Sequence, residues 1–552
     1  MKSKLLSPIV VVLFGMGTLM LTQLVPGQWD MTADRRYTLA EETVATLQQI
    51  DQPIFMDVLL GGELPPSYLR LRSELTVLLQ QMQQINTKIQ FNFVDPFEGN
   101  QDQESLLKDL YNYGLTPEVD IDETGQSTEQ IIVVPWVILN SENKSISVSL
   151  LQKNLGDLPE ERLEQSIQQL EYHLMDGLHQ LFLKEKKRIA VIKSHQTSND
   201  INITSLLQSV LPYYNIAAFD LKAFPDQPEK TLENLLRFDL LFMSNPKGVF
   251  SQNEKFMLDQ FTQAGGSSLY LIDPVTVAQD SLFSLQGDAF AYPNALELDE
   301  LFFKYGVRLN QDIVSDLYSA PIVLAQGQNA NSEYRPYPWV YHPLSTPQRD
   351  HPVGSAISNV LQRFVSSIDT LPSPLKKTVL LTTSEQTKRK TPPFIVALKE
   401  ATLPIKPSAY SDSVALTGVL LEGEFPSLFQ NRVAPFAWEK SSTTQPAKIA
   451  VFADGNLAEN QTDKGEPLAL GYDKWTNNLY GNKLFLQNTI HYLMGEESRL
   501  QLRSKTIQMA FLDRVLLNEN KRTLQFIALW SPLFFLLLVG GGLRLFKQFN
   551  RQ

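Results

Sequence analysis

Asp454-Gly455-Asn456 closes an apolar run that begins at Lys448 (KIAVFAD), so a carboxylate and an amide stand together at a strand exit. Such a pair can hold a cation or a sugar hydroxyl, and a tight turn explains the same residues equally well. His195 follows a second compact run, Arg188 to Lys193 (RIAVIK), at the edge where open α/β sheets gather ligands; a merely solvated loop histidine is the alternative. His342 and His351 lie in YRPYPWVYHPLSTPQRDHPV, where Tyr334, Tyr337, Trp339 and Tyr341 offer flat faces to a sugar. Two imidazoles with Asp350 offer donors to a metal, and an ordered loop packed over a sheet edge is the competing reading. His195, Trp339, His342, His351 and Asp454 are therefore the candidate ligand-binding residues.

Most other chemistry is excluded. The chain has no cysteine, which removes disulfides, thiolate metal sites and a cysteine nucleophile together. No GxxxxGK[ST], strand-borne GxGxxG, HExxH or GxSxG occurs, so nucleotide energy would have to come from a partner. His173 and His179 are six apart on one predicted helix and point to different faces. Glu41-Glu42, Glu160-Glu161 and Glu496-Glu497 read as solvated faces, while Asp95-Pro96 and Asp273-Pro274 read as ordinary strand exits. No acid/base pair is fixed by spacing, so no catalytic residue, resident metal or cofactor is expected. A net charge of -12 without clustered Lys and Arg argues against nucleic acid as a partner.

The elements that position these residues alternate between strand and helix periods. Ile54 to Leu60, a stripe through Leu71, Leu75, Leu78, Met82 and Ile85, and Ile89 to Asp95 predict a βαβ unit. Ile131 to Leu139 predicts an edge strand because of Pro135, and Lys144 to Leu151 its hairpin partner. One long helix is expected from Pro159 to the basic run at Lys184–Arg188. A second α/β unit comes next: Arg188 to Lys193, Asp239 to Ser244, a helix capped by Ser251 and Glu254 and stopped at Gly265-Gly266, and Ser268 to Asp273. Thr378 to Thr382 and Lys448 to Asp454 extend its sheet. Ser366 to Lys377, Ser384 to Pro393 and Ser441 to Ala447 read as exposed loops.

Leu5 to Val25 and Leu524 to Leu543 carry no charged side chain, and at roughly 20 residues each can cross a bilayer as a helix. A cleaved signal peptide is the alternative for the first, although Leu24 to Trp29 lacks a small-x-small cleavage pattern. Lys2 and Lys4 before the first segment and Arg544, Lys547 and Arg551 after the second place both tails in the cytoplasm; Lys521 and Arg522 weaken that asymmetry. Gly15, Gly17, Thr18 and Gly540 to Gly542 permit close helix approach, and Gly15 and Gly17 read equally well as neutral lipid-facing positions. The expected organisation is a cytoplasmic tail 1–4, a span 5–25, an α/β domain 26–185 and a larger α/β domain 186–500. A juxtamembrane helix 501–523, a span 524–546 and a second cytoplasmic tail 547–552 complete it.

Asp30-Met31-Thr32-Ala33-Asp34-Arg35-Arg36-Tyr37-Thr38-Leu39 resembles the signature of the gliding-motility ABC transporter auxiliary proteins, the GldG family. Phe93-Val94-Asp95-Pro96, Val134-Pro135-Trp136, Asp259-Gln260-Phe261, Tyr305-Gly306-Val307-Arg308, Leu420 to Gly423, Asp454-Gly455-Asn456 and Gly481-Asn482-Lys483 come after it in family order. The resemblance implies a Bacteroidetes-type inner-membrane protein, its bulk periplasmic, working with a permease and a cytoplasmic ATPase in gliding and surface-protein secretion. It also implies that the central domain is similar to class I glutamine-amidotransferase folds, here without the cysteine such an enzyme needs. The expectation is a non-catalytic transporter subunit; a membrane-anchored receptor for a small solute or glycan is the alternative, and a tethered hydrolase a third.

Overall fold

The computed structural model describes residues 38–99, 103–122, 129–151, 159–283, 287–326, 333–355, 357–438, 444–497, 499–500 and five positions between 525 and 534. Residues 37–506 form one compact unit, while 1–36 and 507–552 belong to another. In the latter only Gln525, Phe526, Trp530, Ser531 and Phe534 are described; all are helical and exposed. Among the described residues no helix is long and apolar enough to cross a membrane. The expected span Leu5 to Val25 lies outside them, as does most of the second.

The first sheet is built from the expected βαβ unit. Strand β1 (Ile54–Val58) runs parallel to β2 (Ile89–Phe93), joined by helix α1 (Pro66–Ile85). The single strand expected over Ile131 to Leu139 is two. Pro135 supplies no N–H, and the chain breaks there into β3 (Glu129–Val133), paired outside this sheet with Glu118–Asp122, and β4 (Trp136–Asn140). Strand β4 lies antiparallel to β1 and forms the expected hairpin with β5 (Ser145–Ser149), giving the order β2-β1-β4-β5.

The long helix is likewise two, α2 (Pro159–Gln168) and α3 (Leu170–Phe182), divided at Gln169, whose ψ of 9° leaves the helical range. Leu71, Leu75, Leu79 and Met82 of α1 and Leu174, Leu178 and Leu181 of α3 share one buried core with the sheet. Polar contacts tie α3 to more distant parts of the chain. Tyr213 donates to Asp176 over 2.6 Å, and the buried Arg499 lies 3.6 Å from the same carboxylate and over the Tyr213 ring.

A larger sheet occupies the rest of this unit: β6 (Arg188–Ile192), α4 (Asp200–Val210), β7 (Asn215–Phe219), β8 (Leu240–Ser244), α5 (Gln252–Gln263), β9 (Ser267–Leu271), β10 (Ser319–Gln326), β11 (Glu333–Pro347), β12 (Lys376–Thr382), β13 (Leu416–Gly423), β14 (Ala447–Phe452) and α6 (Asn482–Leu493). Strands β7-β6-β8-β9-β14 are parallel, in the doubly wound order 2-1-3-4-5. Beyond β14 the sheet turns antiparallel through β13, β12, β11 and β10. The capping box expected on α5 is present, with Ser251 and Glu254 bonding each other's backbone.

Two segments read as loops contain short strands, Ile368–Thr370 within Ser366 to Lys377 and Thr387–Lys390 within Ser384 to Pro393. Their antiparallel partners, Val307–Leu309 and Ile313–Asp316, supply the order that their polar composition hides. The aromatic stretch is no loop either; it is β11, fifteen residues long.

Close approach tests this packing. A Cβ on Gly177 of α3 would fall 2.3 Å from Val148 Cγ2 and 2.7 Å from Leu139 Cδ1. Gly177→Ala is expected to lower stability by about 1–3 kcal/mol in urea titrations through overpacking, and adding Val148→Ala should recover part of that loss.

Candidate functional site

The parallel strands end at one edge, and it is crowded with polar groups. After β6 come His195 and Ser198, after β8 Asn245, after β9 Asp273 and after β14 Asp454. His195, Gln196 and Asn245 sit at φ of 63°, 52° and 53°, a left-handed conformation that side chains adopt where the fold around them holds it. His195 and Asn245 flank the point where the strand order reverses, the place where doubly wound sheets bind ligands.

Here the edge is closed by its own side chains. Asp273 accepts the Gly455 N–H at 2.5 Å and the Asn456 amide at 3.2 Å; Asp454 accepts the Arg363 and Asn456 N–H groups, both at 2.9 Å. Glu459 accepts from Ser198 at 2.6 Å, and Asn245 donates to Asn456 at 3.1 Å. Gly455 has no room to spare, since a Cβ there would lie 2.8 Å from Asn245 Oδ1. Burial pushes the Asp454 carboxyl up to about 7 against the backbone donors that hold it down. Asp273 is pushed well above the usual carboxylate range by burial and by its neighbour Asp454.

His195 is buried and stacked on Phe250, ring centroids 3.7 Å apart. Its Nε2 lies 3.3 Å from Glu254. Burial raises Glu254, but His195 and the Ser251 donors outweigh it and hold the carboxyl at about 2. Neither residue reaches the Asp273–Asp454 network through a bond, so two of the expected site residues share an edge without sharing a cluster.

Beside that edge lies a cavity of about 560 Å³, within the range of small-molecule sites. Strand β11 lines it with Trp339 and His342. Arg363 and Phe364 come from the segment after β11, Lys474 and Trp475 from the hairpin of Tyr472–Asp473 and Asn478–Leu479, and Phe283 from the end of helix Gln279–Leu282. Burial, with Arg363 adding to it, pushes His342 down to about 3, so the ring is neutral at physiological pH. Trp339 is 1% exposed, and its Nε1 has no acceptor. Arg363 joins cavity to edge: its main-chain N–H goes to Asp454 while the residue lines the cavity.

His351 is elsewhere. Its ring packs 4.7 Å from Tyr492, its Nδ1 accepts from the Val353 N–H, and Asp350 is exposed. His342 and His351, which a shared metal or sugar site would need together, are not brought together, because β11 ends at Pro347 and the chain turns away. Among the described residues no group of three His, Asp or Glu side chains is placed to hold a metal. Sequence reasoning passed over Asp273, read as a strand exit, together with Asn245, Arg363 and Trp475. The usable signals were two polar residues, Asn245 and Asp273, following buried strands and a tryptophan in a polar hairpin; Arg363 had none.

Five parallel strands with a self-satisfied carboxyl edge, carrying an aromatic cavity on an antiparallel extension, define a doubly wound α/β fold. The chain belongs to the auxiliary-protein family described as an ABC-type uncharacterized transport system, whose family model matches residues 186–489, and its role is that of an accessory to such transport. A second model, for a domain of unknown function, matches residues 33–140. No curated protein matches. Among solved structures the chain is similar to the mmIFT52 N-terminal domain, with 11% identity, a TM-score of 0.32, and coverage of 56% of this chain and 97% of that one.

Asp454 and His342 oppose each other in pH dependence. The folded-state carboxyl pKa of about 7 exceeds its unfolded value near 4, so its contribution falls as pH rises between them. The folded-state imidazole pKa of about 3 lies below its unfolded value near 6.5, so its contribution rises over that window. Asp454→Asn is expected to tilt the stability curve between pH 4 and 6.5 upward relative to the parent, and His342→Gln to tilt it downward, in urea midpoints measured across that range.

Proposed function

We propose that this chain is a non-catalytic subunit of a gliding-motility-type ABC transport complex. In this reading it is anchored in the bacterial inner membrane with both termini cytoplasmic and its bulk periplasmic, working beside a permease and a cytoplasmic ATPase. Membership of the auxiliary transport family is the observation that carries the reading. The two uncharged terminal segments support the anchoring, and the ordered family motifs from Asp30 to Lys483 support the gliding-type specialisation. The non-catalytic assignment rests on the absence of a thiol from the chain and on the Asp273 and Asp454 carboxyls being engaged with main-chain and amide donors. The body then contributes shape and binding surface while its partners supply nucleotide chemistry.

The cavity at Trp339 favours a second role on the same scaffold, that of receptor for a small solute or glycan. The two roles are compatible, since an accessory subunit can carry the ligand site of a transport system.

Affinity purification of the full chain from its own membranes in mild detergent should recover a polytopic permease and an ATPase, with an ATPase rate that changes when this chain is omitted. Recovery of neither subunit would overturn the proposal. Because the chain has no cysteine, single cysteines report topology without background. In intact spheroplasts, Lys464→Cys should react with a membrane-impermeant maleimide and Ser3→Cys should react only after lysis.

A further inference from the structure

The balance of donors and acceptors around the Trp339 cavity says what would fill it. Its polar rim is already occupied by its own members: Asp473 accepts from Gln461 at 3.0 Å and Thr476 at 2.6 Å, and Lys474 donates to the Thr462 carbonyl at 2.8 Å. Asn460 donates to the Ile201 carbonyl and accepts the Ser205 N–H. Among the groups left over, two donors stand out by charge and burial. The Arg363 guanidinium makes no hydrogen bond or ion pair among the described residues, and the buried Trp339 Nε1–H has no acceptor. An orphaned buried donor is costly, and a guanidinium is shaped for two oxygens of one carboxylate.

The rest of the wall is apolar. Ile322, Leu361 and Phe364 form its depth, while Phe283 and Trp475 stand exposed at 68% and 62%. A glycan needs many hydrogen-bonding partners, and Asn460, Gln461, Asp473 and Lys474 of this rim have assigned theirs. We infer that the cavity binds an amphipathic organic acid, an aromatic or similarly flat apolar body bearing one carboxylate that pairs with Arg363. The inference rests on the cavity being the ligand site of this subunit, and it names the class of ligand taken there. The anchoring of Arg363 does not depend on its side chain, because Asp454 binds the main-chain N–H. Arg363→Gln therefore removes the charge and leaves that tie in place.

The test is calorimetric titration and tryptophan fluorescence of the full chain in lipid nanodiscs with 2-naphthoate, its neutral isostere 2-naphthamide, digalacturonate and maltose. The expected result is that 2-naphthoate binds about 10- to 100-fold more tightly than 2-naphthamide, the worth of a charged hydrogen bond. Arg363→Gln should erase that preference while its urea midpoint stays near the parent's, and Trp475→Ala should weaken both naphthyl ligands alike. Equal binding of acid and amide, an unchanged preference in Arg363→Gln, or tighter binding of digalacturonate or maltose would overturn the ligand class while keeping the cavity as a site. Binding of none of the four would overturn the receptor reading itself, and co-purification of permease and ATPase reports separately on the transport assignment.

Discussion

The hydrogen bond from the Gly455 N–H to Asp273 joins the exits of β9 and β14, two parallel strands whose ladder has ended. Main-chain groups just past a parallel sheet have no strand left to pair with, and burying them unpaired costs about 1–3 kcal/mol each. Asp273 and Asp454 answer that constraint for the Gly455 and Asn456 N–H groups, and Asn245, Asn456 and Glu459 tie the surrounding side chains together. The arrangement requires glycine at 455, left-handed backbone at Asn245, and two carboxyls held far from their usual titration range. An edge so occupied serves as a joint between strands. In many doubly wound proteins the same place is an open crevice.

The ligand-sized space has moved to the antiparallel half of the molecule. Among the described residues strand β11 reaches β12 through Thr346 and Pro347, against Thr382 and Leu381, pairs with Val360–Leu361 through Leu344 and Ser345, and otherwise forms a long ribbon with β10. Its prolines at 336, 338, 343 and 347 withhold N–H groups and limit its pairing. A ribbon freed from the sheet can lay Trp339 and His342 along a cavity closed on other sides by Arg363 and the Trp475 hairpin. One chain segment therefore both ends the sheet and starts the pocket.

How far this was legible depends on which interactions shape each element. The βαβ unit, the capped helix α5 and the central strands arise from local patterns and were readable. Strand β7 was not, because it is an edge strand with mostly exposed side chains, and its apolar run, Ile216 to Phe219, is only four residues with two alanines. The break at Pro135 was half-legible: proline signalled an irregularity, but only pairing with Glu118–Asp122 decides that β3 leaves the sheet. Of the site residues, His195 and Asp454 could be placed at the carboxyl edge because each follows a buried strand. Arg363 could not be found, since what makes it distinctive is a space bounded by segments from Gln279 to Trp475.

The main-chain attachment of Arg363 has a further consequence. Its peptide unit is pinned at 2.9 Å to a carboxyl that is itself immobilised by Asn456, so the torsional freedom of the main chain at this residue is lost during folding. The guanidinium is thus carried on a rigid mount with only its own rotamers left to settle. A cationic group presented this way is preorganised, and the entropic toll of ordering it falls on the folded protein before any guest arrives.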